Sequence, residues 1–243
     1  MNAVTLVTGA SRGIGAATAL RLARAGHAVA VNYARDAAAA ASVVEAIRGE
    51  GGDAVALQAD VADEAEVLRL FEAIDRRWGR LTGLVNNAGV VDAATRVEAV
   101  TLARLQRLFA VNVFGSFLCA REALKRMGAG GAIVNVSSVA ARLGSPGEYV
   151  DYASAKAAID TFTRGLALEV AARGIRVNAV RPGIVETEIH ASGGQPDRVA
   201  RLGPQVPMQR AGTADEIAAA IAWLLSDEAS YCSGAILDVS GGR

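Results

Sequence analysis

The chain has 243 residues, and its 25 Lys plus Arg are balanced by 25 Asp plus Glu, so no net field draws it toward nucleic acid. Cys119 and Cys232 show neither metal nor redox spacing and read as small packed residues of a reducing cytoplasm, with no metal site expected. The N-terminus lacks the charged and apolar segments of a signal peptide, and the apolar run 217–225 is too short to span a bilayer, so no membrane partner is expected.

The first element, 3–7, is short, apolar and β-branched, the pattern of a buried strand. Residues 16–25 are rich in alanine and leucine with arginines on one side, the pattern of a helix. Between them runs Thr8-Gly9-Ala10-Ser11-Arg12-Gly13-Ile14-Gly15. Strand, glycine turn and helix form the setting of a dinucleotide-binding turn. Glycines let the backbone approach a pyrophosphate, and the helix N-terminus offers free N–H groups and a positive dipole. The spacing is Gly-x-x-x-Gly-x-Gly rather than Gly-x-Gly-x-x-Gly. Alone, such a turn would be a tight connection only. Its place between a strand and a helix favours the nucleotide reading.

The alternation continues with strand 28–33, helix 36–49, strand 54–59, helix 63–78 and strand 83–86. A long helix over 102–127, strand 132–137, helix 151–173, strand 176–180, helix 214–225 and strand 235–239 complete it. No Pro-, Ser- or charge-rich linker divides the chain, so one domain over 1–243 is expected. Right-handed crossovers make this an α/β protein: a doubly wound, mostly parallel seven-stranded sheet with helices on both faces. Ligands of such sheets sit beyond the carboxyl ends of the strands, where Thr8, Tyr33, Asp60, Asn86, Ser138 and Val180 all fall.

One further pattern bears directly on chemistry. Tyr152 and Lys156 stand four apart in Tyr152-Ala153-Ser154-Ala155-Lys156, on one helix face, with Ser138 upstream. A free phenol titrates near ~10, and a neighbouring ammonium is expected to lower that value, making Tyr152 an acid–base group. A serine hydroxyl can hold the substrate oxygen in line. Tyr149 competes for the role but has Ala153, not a lysine, four residues on. Alternate strand residues face opposite sides, so only one of Ser137 and Ser138 can face the site.

Together the two motifs resemble the short-chain dehydrogenase/reductase family in its single-domain form, with a Rossmann-like fold. Asp60-Val61, Asn86-Asn87-Ala88-Gly89, Asn112, Pro182-Gly183 with Thr187, and Ser240-Gly241-Gly242 match the family as well. The resemblance covers essentially the whole chain and implies an oxidoreductase acting on a small alcohol or carbonyl compound. It implies Ser138, the second serine of its pair, together with Tyr152, Lys156 and Asn112 as the catalytic set. In the family, Lys156 holds the nicotinamide ribose and Asn112 holds a water that relays protons. Without the resemblance, Asn112 reads as a satisfied core asparagine.

The implied cofactor residues are Gly9, Ser11, Arg12, Gly13, Ile14, Gly15, Tyr33, Arg35, Asp60, Val61, Asn86, Ala88, Gly89, Tyr152, Lys156, Pro182, Gly183, Ile184 and Thr187. Asp60 matches the acid at the adenine, with a helix N-cap as the alternative reading of an acid nearby. An acid ending the second strand would select NAD; here that position is Tyr33, with Arg12 and Arg35 near, so NADP(H) is expected over NAD(H). Glu148, Glu186, His190 and Arg142 read as exposed loop residues, and His27 as a surface turn residue.

The loop 142–149 resembles sugar dehydrogenases, and the Ser138–Tyr152 spacing is one residue longer than in 3-oxoacyl-carrier-protein reductases. That second activity would want a basic entrance, for which Lys125, Arg126 and Arg173 are candidates. A nucleotide-sensing regulator is a third reading, against which stands the presence of both Tyr152 and Lys156. Leu105, Leu108, Phe114, Phe117, Phe162 and Leu166 place apolar residues on more than one helix face. By resemblance these helices and the last strand build a homotetramer.

Overall fold

The computed structural model describes residues 3–243, apart from the side chain of His190. Its centre is a seven-stranded sheet with strands β1 (Val4–Val7), β2 (Ala28–Tyr33), β3 (Ala54–Gln58), β4 (Gly83–Asn86), β5 (Ala132–Val136), β6 (Arg176–Pro182) and β7 (Ile236–Val239). The order is β3-β2-β1-β4-β5-β6-β7 and every pairing is parallel. The chain reverses its winding direction between β1 and β4, which opens a crevice at the carboxyl edge there.

Helices cover both faces, because strands apolar on both sides must be covered on both. One face packs α1 (Gly13–Arg24), α2 (Ala37–Gly49) and α10 (Ala214–Leu225) around Leu22, Ile47 and Ile221. The other packs α3 (Glu64–Trp78), α5 (Gly115–Leu124) and α7 (Val150–Val170) around Phe71, Cys119 and Leu166. Asp63 caps α3 by accepting from Glu66 N, and Thr213 with Glu216 forms a capping box on α10. Three short helices, α6 (Ala140–Leu143), α8 (Ile189–Ser192) and α9 (Arg198–Leu202), lie in the carboxyl-edge loops.

The helix expected over 102–127 is interrupted. It runs as α4 (Leu102–Phe109), a π turn Ala110–Phe114, then α5. Asn112 is the reason. Its side-chain amide donates to Leu108 O and Val90 O, both at 2.9 Å, so the side chain takes the carbonyl that would have received an ordinary i→i−4 bond. Leu108 and Leu166 are spent on the core, whereas Phe114 and Phe117 remain exposed and Phe117 stacks on Phe162 at 3.8 Å.

Candidate active site

The glycine turn is wired by short polar side chains. Asn32, on β2, accepts from Gly9 N through its side chain (3.2 Å) and from Ala10 N through its carbonyl (2.7 Å). Thr8 Oγ1 accepts from the backbone N–H groups of Asn87 and Ala88, each at 3.0 Å. Asn87 returns its amide to Thr8 O (2.8 Å) and Gly9 O (3.0 Å). These bonds tie the ends of β1, β2 and β4 into one frame. Gly9 and Gly13 have φ of +60° and +55°, the left-handed region that suits glycine. A Cβ on Gly15 would lie 2.5 Å from Asn87 Nδ2, and one on Gly9 would lie 2.9 Å from Ala88 Cα.

Sequence reasoning passed over Asn32 and Asn87. The signal for Asn32 was available: a lone amide in the apolar run 28–33, which burial obliges to find partners. The pair Asn86-Asn87 divides the other way from the expectation. Asn86 turns into the sheet layer, donating to Asn135 Oδ1 (2.9 Å) and Ser116 O (3.3 Å), while Asn87 lines the cleft. The side chain of Asn86 is therefore committed to joining β4 to β5 and α5.

Other expected cofactor residues are brought to the same edge. Ile14, Gly89, Pro182, Gly183, Ile184 and Thr187 line a cavity of about 160 Å³. Asp60 is exposed beyond β3, accepting from Ala62 N at 2.9 Å, and the helix cap falls to Asp63 instead. Val61 is buried, and Gly115 gives it room, since a Cβ there would meet Val61 Cγ2 at 2.7 Å. Tyr33 is half-buried at the end of β2, and Arg35 is exposed beside it. Ser11 is half-buried; Arg12 is exposed and pairs with Glu188 at 2.8 Å.

Ser138, Tyr152 and Lys156 line this cavity together. Ser138 follows β5, and its hydroxyl, which accepts from Ala140 N at 3.1 Å, is near enough to Tyr152 to lower the phenol's pKa. Both serines line the cavity, but Ser137 donates to Lys156 O at 3.1 Å, which leaves the Ser138 hydroxyl as the one with a proton to offer a ligand. The ammonium of Lys156, nearly fully buried, donates to Val136 O at 2.8 Å and lies 5.6 Å from the Tyr152 ring centroid. Gly89 makes room for it: a Cβ there would lie 2.9 Å from Asn112 Oδ1 and 3.4 Å from Lys156 Nζ.

The electrostatics differ from the expectation. Burial pushes the Tyr152 phenol up to about 12, with only the Ser138 hydrogen bond working against it. Burial also pulls Lys156 down to about 8, opposed by the charge of Asp160 one turn on. Desolvation of both partners outweighs their attraction in the free protein. Asp160 is itself held by Arg181 at 2.7 Å.

Several loop residues are less free than their sequence suggested. Glu148 pairs with Arg198 at 2.8 Å, and Arg142 donates to Arg243 O at 2.7 Å. His27 is half-buried and hydrogen-bonded to Thr5 at 2.8 Å, and burial lowers its pKa. Glu186 is exposed; the side chain of His190 lies outside the described residues. The basic trio falls at the opposite, amino edge of the sheet and is already paired. Lys125 meets Glu122 at 2.7 Å, Arg126 meets Asp75 at 2.8 Å, and Arg173 caps Leu124 O at 2.5 Å. Among the described residues no His, Cys, Asp and Glu group could hold a metal ion, and no helix is long and apolar enough to cross a membrane.

A family model described as enoyl-(acyl carrier protein) reductase matches residues 9–243. An uncharacterized oxidoreductase of Escherichia coli, YgfF, is 58% identical over 99% of this chain and 100% of its own length. A 3-oxoacyl-[acyl-carrier-protein] reductase of Synechocystis is 40% identical over 98% of this chain and 96% of its own. The crystal structure of a short chain dehydrogenase from Burkholderia cenocepacia, in complex with NADP, superposes with a TM-score of 0.91 at 37% identity, covering 98% of this chain and 96% of that one. The chain belongs to the short-chain dehydrogenase/reductase family and is an oxidoreductase of that family.

Proposed function

We propose that this chain is an NADP(H)-dependent oxidoreductase that interconverts a secondary alcohol and a ketone, or a polyol or sugar carbonyl, as one domain over 1–243. The observation that carries the reading is the meeting of the glycine turn with Ser138, Tyr152 and Lys156 on one cavity. The residues fit the cofactor: Gly9, Gly15 and Gly89 each leave a space that a Cβ would fill against backbone or amide. Ser11, Gly13 and the start of α1 would hold the pyrophosphate, Asp60 and Val61 the adenine, and Ala88, Gly89, Lys156, Pro182, Gly183, Ile184 and Thr187 the nicotinamide half. Arg12 and Arg35 would meet the 2′-phosphate, with no acid at Tyr33 to repel it.

When bound, the nicotinamide gives or takes the hydride. Tyr152 moves the proton. A phenol held near 12 keeps its proton at neutral pH and can donate it to the carbonyl oxygen in reduction. Ser138 holds that oxygen with its hydroxyl. Lys156, near 8, would stabilise the phenolate and return a proton to it through a water held at Asn112. With the cavity filled, water would be excluded from Ser138, Tyr152 and Lys156, which would strengthen their contacts.

The carrier-protein reading is the runner-up, supported by the Synechocystis relative. Against it, Lys125, Arg126 and Arg173 sit at the edge away from the cavity and are already paired. We place the protein in the cytoplasm as a homotetramer, with Phe114 and Phe117 of the exposed helix face meeting a second copy. NADPH consumption with small ketones, aldehydes and sugars, compared with acetoacetyl-carrier protein, tests the reading. Higher kcat/KM on the small carbonyls is expected, and a marked preference for the carrier-bound substrate would make the runner-up correct.

A further inference from the structure

The cavity has a second polar wall that hydride chemistry does not use. Arg198, on α9, is only 9% exposed and lines the cavity with Tyr149. A buried guanidinium is tolerated only when compensated. Here Nη1 donates to Glu148 Oε2 (2.8 Å) and to Gln195 Oε1 (3.0 Å), and Cζ lies 5.1 Å from the centroid of the Tyr149 ring. A guanidinium has five N–H donors. Among the described residues Nε and Nη2 of Arg198 have no hydrogen-bond acceptor, and neither atom is sealed from solvent. Tyr149 Oη accepts from Gln195 Nε2 at 2.7 Å and has only a long contact, 3.5 Å, for its own proton on Gly193 O.

This wall therefore offers donors, and the Arg198 charge is paired with Glu148, which does not line the cavity, while Arg201, on the same Gln195 oxygen at 2.6 Å, faces Asp197 at 3.9 Å. Donors without net charge suit a neutral oxygen. A carboxylate would add a second anion to an arginine that has one. The same cavity has apolar lining from Val91, Val136, Leu143 and Ile189.

We infer that Arg198 and Tyr149 form a recognition site for a neutral oxygen, a hydroxyl or second carbonyl, carried by the substrate on an apolar body away from its reacting carbonyl. This deepens the reductase reading and rests on it. Glu148 acts as the positioning residue that keeps the site neutral.

The test uses NADPH with matched ketones: cyclohexanone, 4-hydroxycyclohexanone and 4-oxocyclohexanecarboxylate, and the longer pair 2-tetralone and 6-hydroxy-2-tetralone. At least one hydroxylated ketone should show kcat/KM about 10-fold above its parent, mostly through KM, as one hydrogen bond to a charged donor supplies. Arg198→Met, which keeps a stem against Tyr149, should bring that ratio close to one, with NADPH affinity as the check of folding. Glu148→Gln leaves the guanidinium uncompensated and should move preference toward the carboxylate. If Arg198→Met does not fold, the Glu148→Gln shift decides. Equal kcat/KM for hydroxylated and parent ketones in the unaltered protein, or a ratio untouched by Arg198→Met, overturns the inference while leaving the reductase reading intact. Failure to reduce any carbonyl overturns the reductase reading. Calorimetry of the same ketones on NADP-loaded Tyr152→Phe protein then decides the site by itself, equal affinities overturning it.

Discussion

The two walls of the cleft are built differently. The cofactor wall is tied by backbone groups and the short side chains of Thr8, Asn32 and Asn87, anchored on strands. The substrate wall is held by long side chains on loops and short helices, Arg198 to Glu148 and Arg201 to Gln195 Oε1 at 2.6 Å, and Glu188 ties it to Arg12 of the glycine turn. Short buried contacts lose little entropy and tolerate no added atom; long side chains lose more when fixed, and an exposed pair such as Arg12–Glu188 contributes little and can be remade. The fixed wall suits a cofactor that never changes. The other would suit the opening and closing that we propose for substrate entry.

The contrast can be broken most severely at Gly15. Gly15→Ala forces a Cβ against Asn87 Nδ2 and Gly9 O, both 2.5 Å away, and overpacking of this kind costs about 1–3 kcal/mol. NADPH affinity measured by calorimetry should fall at least ~10-fold.

Lys156→Met should change how stability depends on pH. The folded value of Lys156, about 8, lies below the ordinary 10.5. Below pH 8 both folded and unfolded chains carry the proton, and the folded state bears the full desolvation penalty, on the order of 3 kcal/mol. Between the two values only the unfolded chain holds it, so the penalty is relieved as pH rises. Lys156→Met removes the penalty but leaves Val136 O without its donor, a net gain of about 1–2 kcal/mol at pH 7. Denaturant unfolding at pH 7 and 10 should show an advantage for the variant that shrinks at the higher pH, alongside lost turnover.

The double variant Arg12→Ala, Arg35→Ala should lower NADPH affinity about tenfold, to that for NADH, as loss of charge-assisted bonds to a phosphate implies. Tighter binding of NADH than NADPH to the unaltered protein would reverse the cofactor assignment. The smallest effect is expected at Gln195. Gln195→Ala should change stability by no more than ~1 kcal/mol and raise the KM for ketones severalfold, with NADPH affinity unchanged.

The same contrast explains what was legible in the sequence. Strand positions and the glycine turn follow from local rules, apolar periodicity and glycine spacing, and the sheet places Thr8, Ser138 and Tyr152 at one edge. Asn87 and Asn32 act across strands, so only the paired sheet shows which amide faces the turn. The π turn at Asn112 depends on a contact with Val90, distant in sequence. The Arg198 wall joins residues 50 positions apart through loop conformations that carry no periodic signal. The Tyr152 phenol was misjudged for another reason: a charge partner can be read from spacing, whereas the depth of burial that overrides it cannot.

We propose that Tyr152 gives the proton when a carbonyl is reduced in this cavity. Protein loaded with NADPH is mixed with a reactive ketone at pH 7 and cofactor fluorescence is followed through one turnover, for the native chain and for Tyr152→Phe. Rapid loss of fluorescence is expected in the native chain. The variant should keep its NADPH affinity and react at least ~10²-fold more slowly. A Tyr152→Phe protein that consumes its NADPH at the native rate would rule out Tyr152 as the proton donor.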